Sequence, residues 1–151
     1  MLKIINDLAP FFEDCYREIA VREYAREMNV TPPTASKMLK EFSDQELLKK
    51  REERGFLLFS TNRESKVLKN LSRIYWEEKL KTLIDYLEKQ LHPDVIVLFG
   101  SLTKLEVNDK SDIDIAVIGY KDRRIDIVEF EKKLEHPINI NFYENWNIQK
   151  N

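Results

Sequence analysis

Residues 95–118 read VIVLFGSLTKLEVNDKSDIDIAVI, and the C-terminal fold turns on them. Val95–Phe99 is a short apolar run between Pro93 and Gly100, the pattern of a buried strand. Gly100-Ser101 follows at once and opens a predicted short helix. A glycine there lets a phosphate approach the backbone, where the Ser101 hydroxyl and the N–H groups of Ser101 and Leu102 can bind it. Asp112–Ile118 alternates strictly: Asp112, Asp114 and Ala116 share one strand face, and Ile113, Ile115 and Val117 the other. Two carboxylates so placed repel each other unless a cation lies between them. Mg2+ takes oxygen ligands, commonly one or two carboxylates plus substrate phosphates. The combination points to metal-assisted nucleotidyl transfer. The plainer alternatives are a solvated strand face for the aspartates and an ordinary turn with Ser101 as helix N-cap.

Outward from this stretch, Arg124–Leu134 reads as a helix, with Ile125, Val128 and Leu134 as its apolar contacts. Pro137–Tyr143 alternates again, setting Asn139, Asn141 and Tyr143 against Ile138, Ile140 and Phe142. Upstream, no Gly or Pro interrupts Thr61–Leu91. Val67, Leu71, Ile74, Leu80, Leu83, Ile84, Leu87 and Leu91 fall near a helical period, so one long helix is predicted. His92-Pro93 stops it.

Nearer the N-terminus, residues 2–8 and Phe11–Ile19 read as two short helices divided at Pro10, and Val21–Met28 as a third. Thr31 is a good N-cap, with Pro32 at the first helical position of a helix reaching about Phe42. Leu47–Arg51 and Phe56–Ser60 read as strands about a Glu52–Gly55 turn. The expected architecture is α+β: a winged helix-turn-helix domain over residues 1–62 and a small α/β unit with a mixed sheet over 63–151. Residues 63–91 form the connecting helix.

The chain has 151 residues and a formal net charge of −2, so nucleic-acid binding must rest on a local patch. One cysteine and two histidines exclude a disulfide framework and a Cys/His zinc site. The longest apolar run, Val95–Gly100, is too short for a membrane span, and no secretory signal is read at the N-terminus. A cytoplasmic setting is expected. Cys15, Trp76 and Trp146 read as packing residues. His92 and His136, each before a proline, read as structural.

VREYAREMNVTPPTASKMLKEF (21–42) and LLKKREERGFLLF (47–59) resemble the winged helix-turn-helix domains of archaeal and bacterial regulators. That resemblance implies DNA binding, with Thr34, Ser36, Lys37 and Lys40 facing the major groove and Lys50, Arg51 and Arg54 reaching phosphates from the wing. Residues 31–54 hold nearly as many acids as bases, with Glu52 and Glu53 at the wing, so a protein-interaction module is the alternative. A homodimer would double the basic patch.

Phe99-Gly100-Ser101, ten further residues, then Asp112-x-Asp114 resembles the polymerase-β-like nucleotidyltransferases, and within them the minimal nucleotidyltransferases of prokaryotes. The resemblance implies that Gly100 and Ser101, with Ser111 and Lys104 nearby, hold a nucleoside triphosphate, ATP above all. It implies that Asp112 and Asp114 hold Mg2+. Members of that family carry a third carboxylate on a later strand. Here Asn139 stands in that place, and its neutral amide cannot take a proton. Lys104 and Leu105 stand where Arg and Gly are common. Two functions stay open: a Mg2+-dependent transferase of nucleoside monophosphate, or a weakly active or inactive regulator that binds DNA. As an antitoxin, the latter would pair with a HEPN-type partner protein.

Overall fold

The computed structural model describes residues 1–145, and Trp146 lies outside them. Helix α1 (Lys3–Glu13) is continuous through Pro10. The break expected there is absent because Ile5, Leu8, Phe11 and Phe12 are all fully buried along one stripe. Burying each such side chain is worth about 1.5–3 kcal/mol, which together outweighs the ~3 kcal/mol cost of an internal proline. The helix does not continue to Ile19. Instead Ile19–Ala20 forms the short strand β1, whose Ile19 pairs with Phe59, both fully buried.

Helix α2 spans Val21–Met28 and ends at Asn29 in the left-handed region (φ 54). Helix α3 (Pro32–Asp44) starts at Thr31, whose hydroxyl accepts the Thr34 N–H at 3.4 Å. Strands β2 (Leu48–Glu53) and β3 (Phe56–Thr61) pair antiparallel, and the first sheet runs β1-β3-β2. The wing turn is shorter than expected. Only Arg54 (φ 49) and Gly55 (φ 81) form it, both at positive φ as a two-residue hairpin loop demands, and Glu52 and Glu53 belong to the strand.

Helix α4 (Lys66–Leu91) is the long connector, capped by the Ser65 hydroxyl on the Leu68 N–H at 3.1 Å. Its first half is turned relative to the sequence expectation. Val67 and Ile74 are exposed (60% and 41%), while Leu68, Ser72, Tyr75 and Trp76 are buried. The helix has two partners: α1 against its first half, where Phe12 and Tyr75 lie 5.4 Å apart, and the C-terminal unit, where Tyr86 and Phe130 lie 5.1 Å apart. A single apolar stripe cannot serve both.

Strand β4 (Val95–Phe99), the one-turn helix α5 (Ser101–Lys104), strand β5 (Ile113–Ile118), helix α6 (Val128–Leu134) and strand β6 (Ile138–Tyr143) complete the chain. The sheet order is β4-β5-β6, antiparallel then parallel, so it is mixed as expected. Two corrections apply. Strand β4 is at the sheet edge and half-buried rather than buried, with Phe99 37% exposed. Helix α6 begins at Val128, itself 51% exposed, not at Arg124, because Asp126 Oδ1 accepts the Val128 N–H and starts the helix there. Among the described residues, no helix is long and apolar enough to cross a membrane.

The two sheets are not separate bodies. One hydrophobic cluster runs from Ile5 to Ile138. The backbone N–H of Cys15 donates to the Val107 carbonyl at 2.7 Å, and the Thr61 hydroxyl donates to the Cys15 carbonyl at 2.6 Å.

Candidate functional site

The register of the second sheet sets the site. Asp114 on β5 stands opposite Phe99 on β4 and opposite Asn139 on β6. Cross-strand partners project to the same face, so the aspartates, Asn139 and the exposed Phe99 ring share one surface. The Asn139 amide Nδ2 donates to Asp112 Oδ2 at 3.0 Å and to Asp114 Oδ1 at 3.3 Å. A neutral donor thus bridges the two carboxylates. Among the described residues no Lys or Arg forms an ion pair with either aspartate, and no group of three or more His, Cys, Asp or Glu side chains is arranged for a metal.

Gly100 is held at φ 76, ψ −146 at the head of α5. A Cβ at this position would collide with Asp114 Oδ2, so the turn and the aspartate are pressed together and only glycine fits. The Thr103 hydroxyl donates to the Gly100 carbonyl at 3.0 Å and stiffens the turn. The Ser101 side chain is half-buried beside it, and Lys104 is exposed at the end of α5. Ser111 is used locally: its hydroxyl accepts the Asn108 N–H at 2.9 Å, closing the loop that leads into Asp112. Gly100, Asp114, Asp112 and Asn139 are therefore brought together, whereas Ser111 supports the loop and Lys104 makes no contact with the aspartates.

A second cluster went unread in the sequence. Glu13, at the end of α1, receives the Tyr75 hydroxyl and the Lys79 ammonium, both from α4. His136 lies behind it, with Nε2 3.8 Å from Glu13 Oε2 and Nδ1 2.7 Å from the Ser111 carbonyl. Partial burial works against the Glu13 charge, but His136, Lys79 and Tyr75 outweigh it and lower its pKa from 4.5 to about 2. Glu13 raises the pKa of His136 against the opposing effect of burial. The imidazole edge also meets the Trp76 ring at 5.7 Å. The network ties α1 of the first unit to the residue preceding Asp112. A carboxylate at a helix end, 123 positions from its histidine, leaves no local pattern to find.

On the N-terminal unit, Thr34, Lys37 and Lys40 are exposed on α3, and Ser36 is half-buried. Lys50, Arg51 and Arg54 are exposed on the hairpin, but Arg51 is already engaged. Its guanidinium donates to both carboxylate oxygens of Glu18, at 2.5 and 2.7 Å, and to Glu53 at 3.1 Å. Arg22 and Arg26, not singled out in the sequence, line a shallow depression with Asn29 and Pro32 at the entry to α3.

Two family models match separate stretches of the chain. Residues 81–149 match the family model described as polymerase beta, nucleotidyltransferase. Residues 17–56 match that of the iron dependent repressor, N-terminal DNA binding domain. No curated protein matches the chain. A solved structure of a Lactococcus lactis ZitR mutant is similar at 20% identity, with a TM-score of 0.42, over 58% of this chain and 60% of that one. The C-terminal stretch of the chain is thus similar to polymerase-β-type nucleotidyltransferase domains, and the N-terminal stretch to a winged-helix DNA-binding domain.

Proposed function

We propose that this protein is a slow, Mg2+-dependent nucleotidyltransferase that moves a nucleoside monophosphate from ATP or another triphosphate to a protein or small acceptor, on a chain that also binds DNA. The observation that carries this reading is the packing of the Gly100 turn against Asp114, with Asp112 and Asn139 on the same face. The donor set suits magnesium: two carboxylates, plus the Asn139 carbonyl once its amide turns over. When bound, the ion offsets triphosphate charge and polarises the reacting phosphorus. Gly100 lets the turn pack against Asp114, and the Ser101 hydroxyl beside it is placed to hydrogen-bond to a phosphate. Asp112 and Asp114 fix the charge that orients the nucleotide. Asn139 bridges the two aspartates but cannot take the acceptor's proton. General-base help is typically worth ~10²–10⁴-fold, which is why the reaction is slow.

The bridge from Asn139 to both aspartates also favours a second reading, in which the domain binds nucleotide without turnover. The chain is then a regulator, or an antitoxin beside a HEPN-type partner, in the cytoplasm. Thr34, Lys37 and Lys40 read the groove in either case, and Lys50 and Arg54 contact phosphates.

Pyrophosphate release from each of the four nucleoside triphosphates, with Mg2+ and candidate acceptors, tests the first reading. Slow release is expected from the native chain, loss in Asp112→Ala, and a rise of about 10²–10⁴-fold in Asn139→Asp. Mg2+-dependent ATP binding without release, in both the native chain and Asn139→Asp, selects the second. Absence of Mg2+-dependent nucleotide binding overturns both.

A further inference from the structure

We infer that the outer face of α4 and the open edge of β4 form a two-fold interface with a second copy of this chain. Strand β4 is hydrogen-bonded to β5 and, among the described residues, has no strand on its other side. Its sequence, VIVLF, carries no charge, proline or bulge of the kind that normally shields a sheet edge. Between this edge and α4 lies a cavity of about 630 Å³ with an apolar floor that includes Ile84, Ile96 and Leu98.

Four charged residues at the mouth of this cavity say what covers it. Arg73, Glu77, Lys81 and Asp85 follow one another at four-residue steps along α4, with signs alternating plus, minus, plus, minus. Among the described residues, Glu77, Lys81 and Asp85 make no ion pair or hydrogen bond, and Arg73 bonds only Asn70 Oδ1 and the Thr103 carbonyl. The row is symmetric about position 79. An antiparallel copy related by a dyad therefore sets Arg73 against the partner's Asp85 and Glu77 against the partner's Lys81. The exposed Ile74 is symmetric with Ile84 about the same point. A self-complementary surface of this kind is what a two-fold dimer presents, the same patch serving on both subunits.

The same dyad runs the two β4 strands antiparallel, so the edges can pair into one six-stranded sheet. Association then rests on the apolar floor, and the rim charges set orientation and register, since exposed ion pairs contribute little by themselves. Ile96 and Leu98 lie on the sheet face opposite Asp114, so a partner seated there leaves the aspartates open. The inference stands independently of any catalytic activity.

Sedimentation of the full chain across a dilution series tests it, with Glu77→Lys, Lys81→Glu and the combined variant. Both substitutions are on exposed helix positions, and circular dichroism checks the fold of all three variants. The native chain is expected at twice its 18.1 kDa mass. Each single reversal puts two like-charged pairs at the interface and weakens association by about 100-fold. The combined variant restores it, and an equal mixture of the two single variants dimerises although neither does so alone. A native chain that stays monomeric throughout, a dimer unaffected by the single reversals, or single variants that fail to pair with each other would each overturn the inference.

Discussion

Two carboxylate clusters lie on either side of Ser111 and are built in opposite ways. Around Glu13 the chain supplies its own counter-charges: Lys79, His136 and the Tyr75 hydroxyl converge on one carboxylate. Around Asp112 and Asp114 the described residues supply only the neutral Asn139 amide for two carboxylates. The first cluster is complete and belongs to the architecture. The second is held in place by Gly100 and the strand register but keeps uncompensated negative charge, which is the condition for recruiting a cation. The locations agree with this. Glu13 bridges α1, α4 and the β6 entry, whereas Asp112 stands exposed at a sheet end.

Removing one carboxylate from each cluster should separate them most clearly. Glu13→Ala strands Lys79 and a nearly buried His136. Breaking a fully buried pair costs about 3–5 kcal/mol. Glu13 retains some solvent contact, so screening reduces the expected loss to about 1–2 kcal/mol. Asp112→Ala relieves repulsion and gives up one hydrogen bond, so metal-free stability should stay within about 0.5 kcal/mol. Denaturant midpoints for the two variants check this. Equal losses would mean that Asp112 is as structurally committed as Glu13.

The open cluster was legible in the sequence and the closed one was not. Gly100-Ser101 and Asp112-x-Asp114 announce themselves through local spacing. The family resemblance puts Asn139 where a third carboxylate is expected, and its pairing with Asp114 comes from the strand register. The winged helix was likewise readable from Thr31-Pro32 and the hairpin. Misreadings occurred where long-range burial overrides local pattern. Pro10 is carried inside α1 by Phe11 and Phe12, Ile19 is drawn into a strand by Phe59, and α4 rotates Val67 outward because α1 claims the other face. Glu13, Tyr75, Lys79 and His136 meet only after those elements have packed.

Asn139→Asp should push the open cluster further from balance. A third carboxylate replaces the one donor now shared by Asp112 and Asp114, so metal-free stability should fall by about 1 kcal/mol at neutral pH. Mg2+ should return it, because an ion that binds only the folded state stabilises that state by mass action. Thermal melts with and without Mg2+ read the difference. A variant indifferent to Mg2+ would argue that the three side chains do not form a cation site.

The closed cluster should show itself through pH. The pKa of Glu13 is lowered on folding, so its contribution is present above the unfolded value of 4.5 and is lost as pH falls towards about 2. That of His136 is raised, so its contribution is complete below the unfolded value of 6.5 and is lost as pH rises through the higher folded value. Glu13→Gln should flatten both limbs of a stability–pH curve. An alkaline limb that survives in Glu13→Gln would place the partner of His136 elsewhere.

The same distinction extends to cations on the wing, where the smallest effect is expected. Arg51 is occupied by Glu18 and Glu53, which hold its guanidinium firmly in the charged form, while Lys50 and Arg54 form no ion pair among the described residues. A phosphate would have to displace two carboxylates to reach Arg51, exchanging one set of charge-assisted bonds for another. Neutralising a free cation at a phosphate lowers the salt slope of DNA binding by about 1. Lys50→Ala and Arg54→Ala should each show that change in binding isotherms taken at several salt concentrations, and Arg51→Ala should show less. A full loss of slope in Arg51→Ala would mean that DNA opens the Glu18 pair. The β1 approach and the wing would then rearrange on binding rather than dock as they stand.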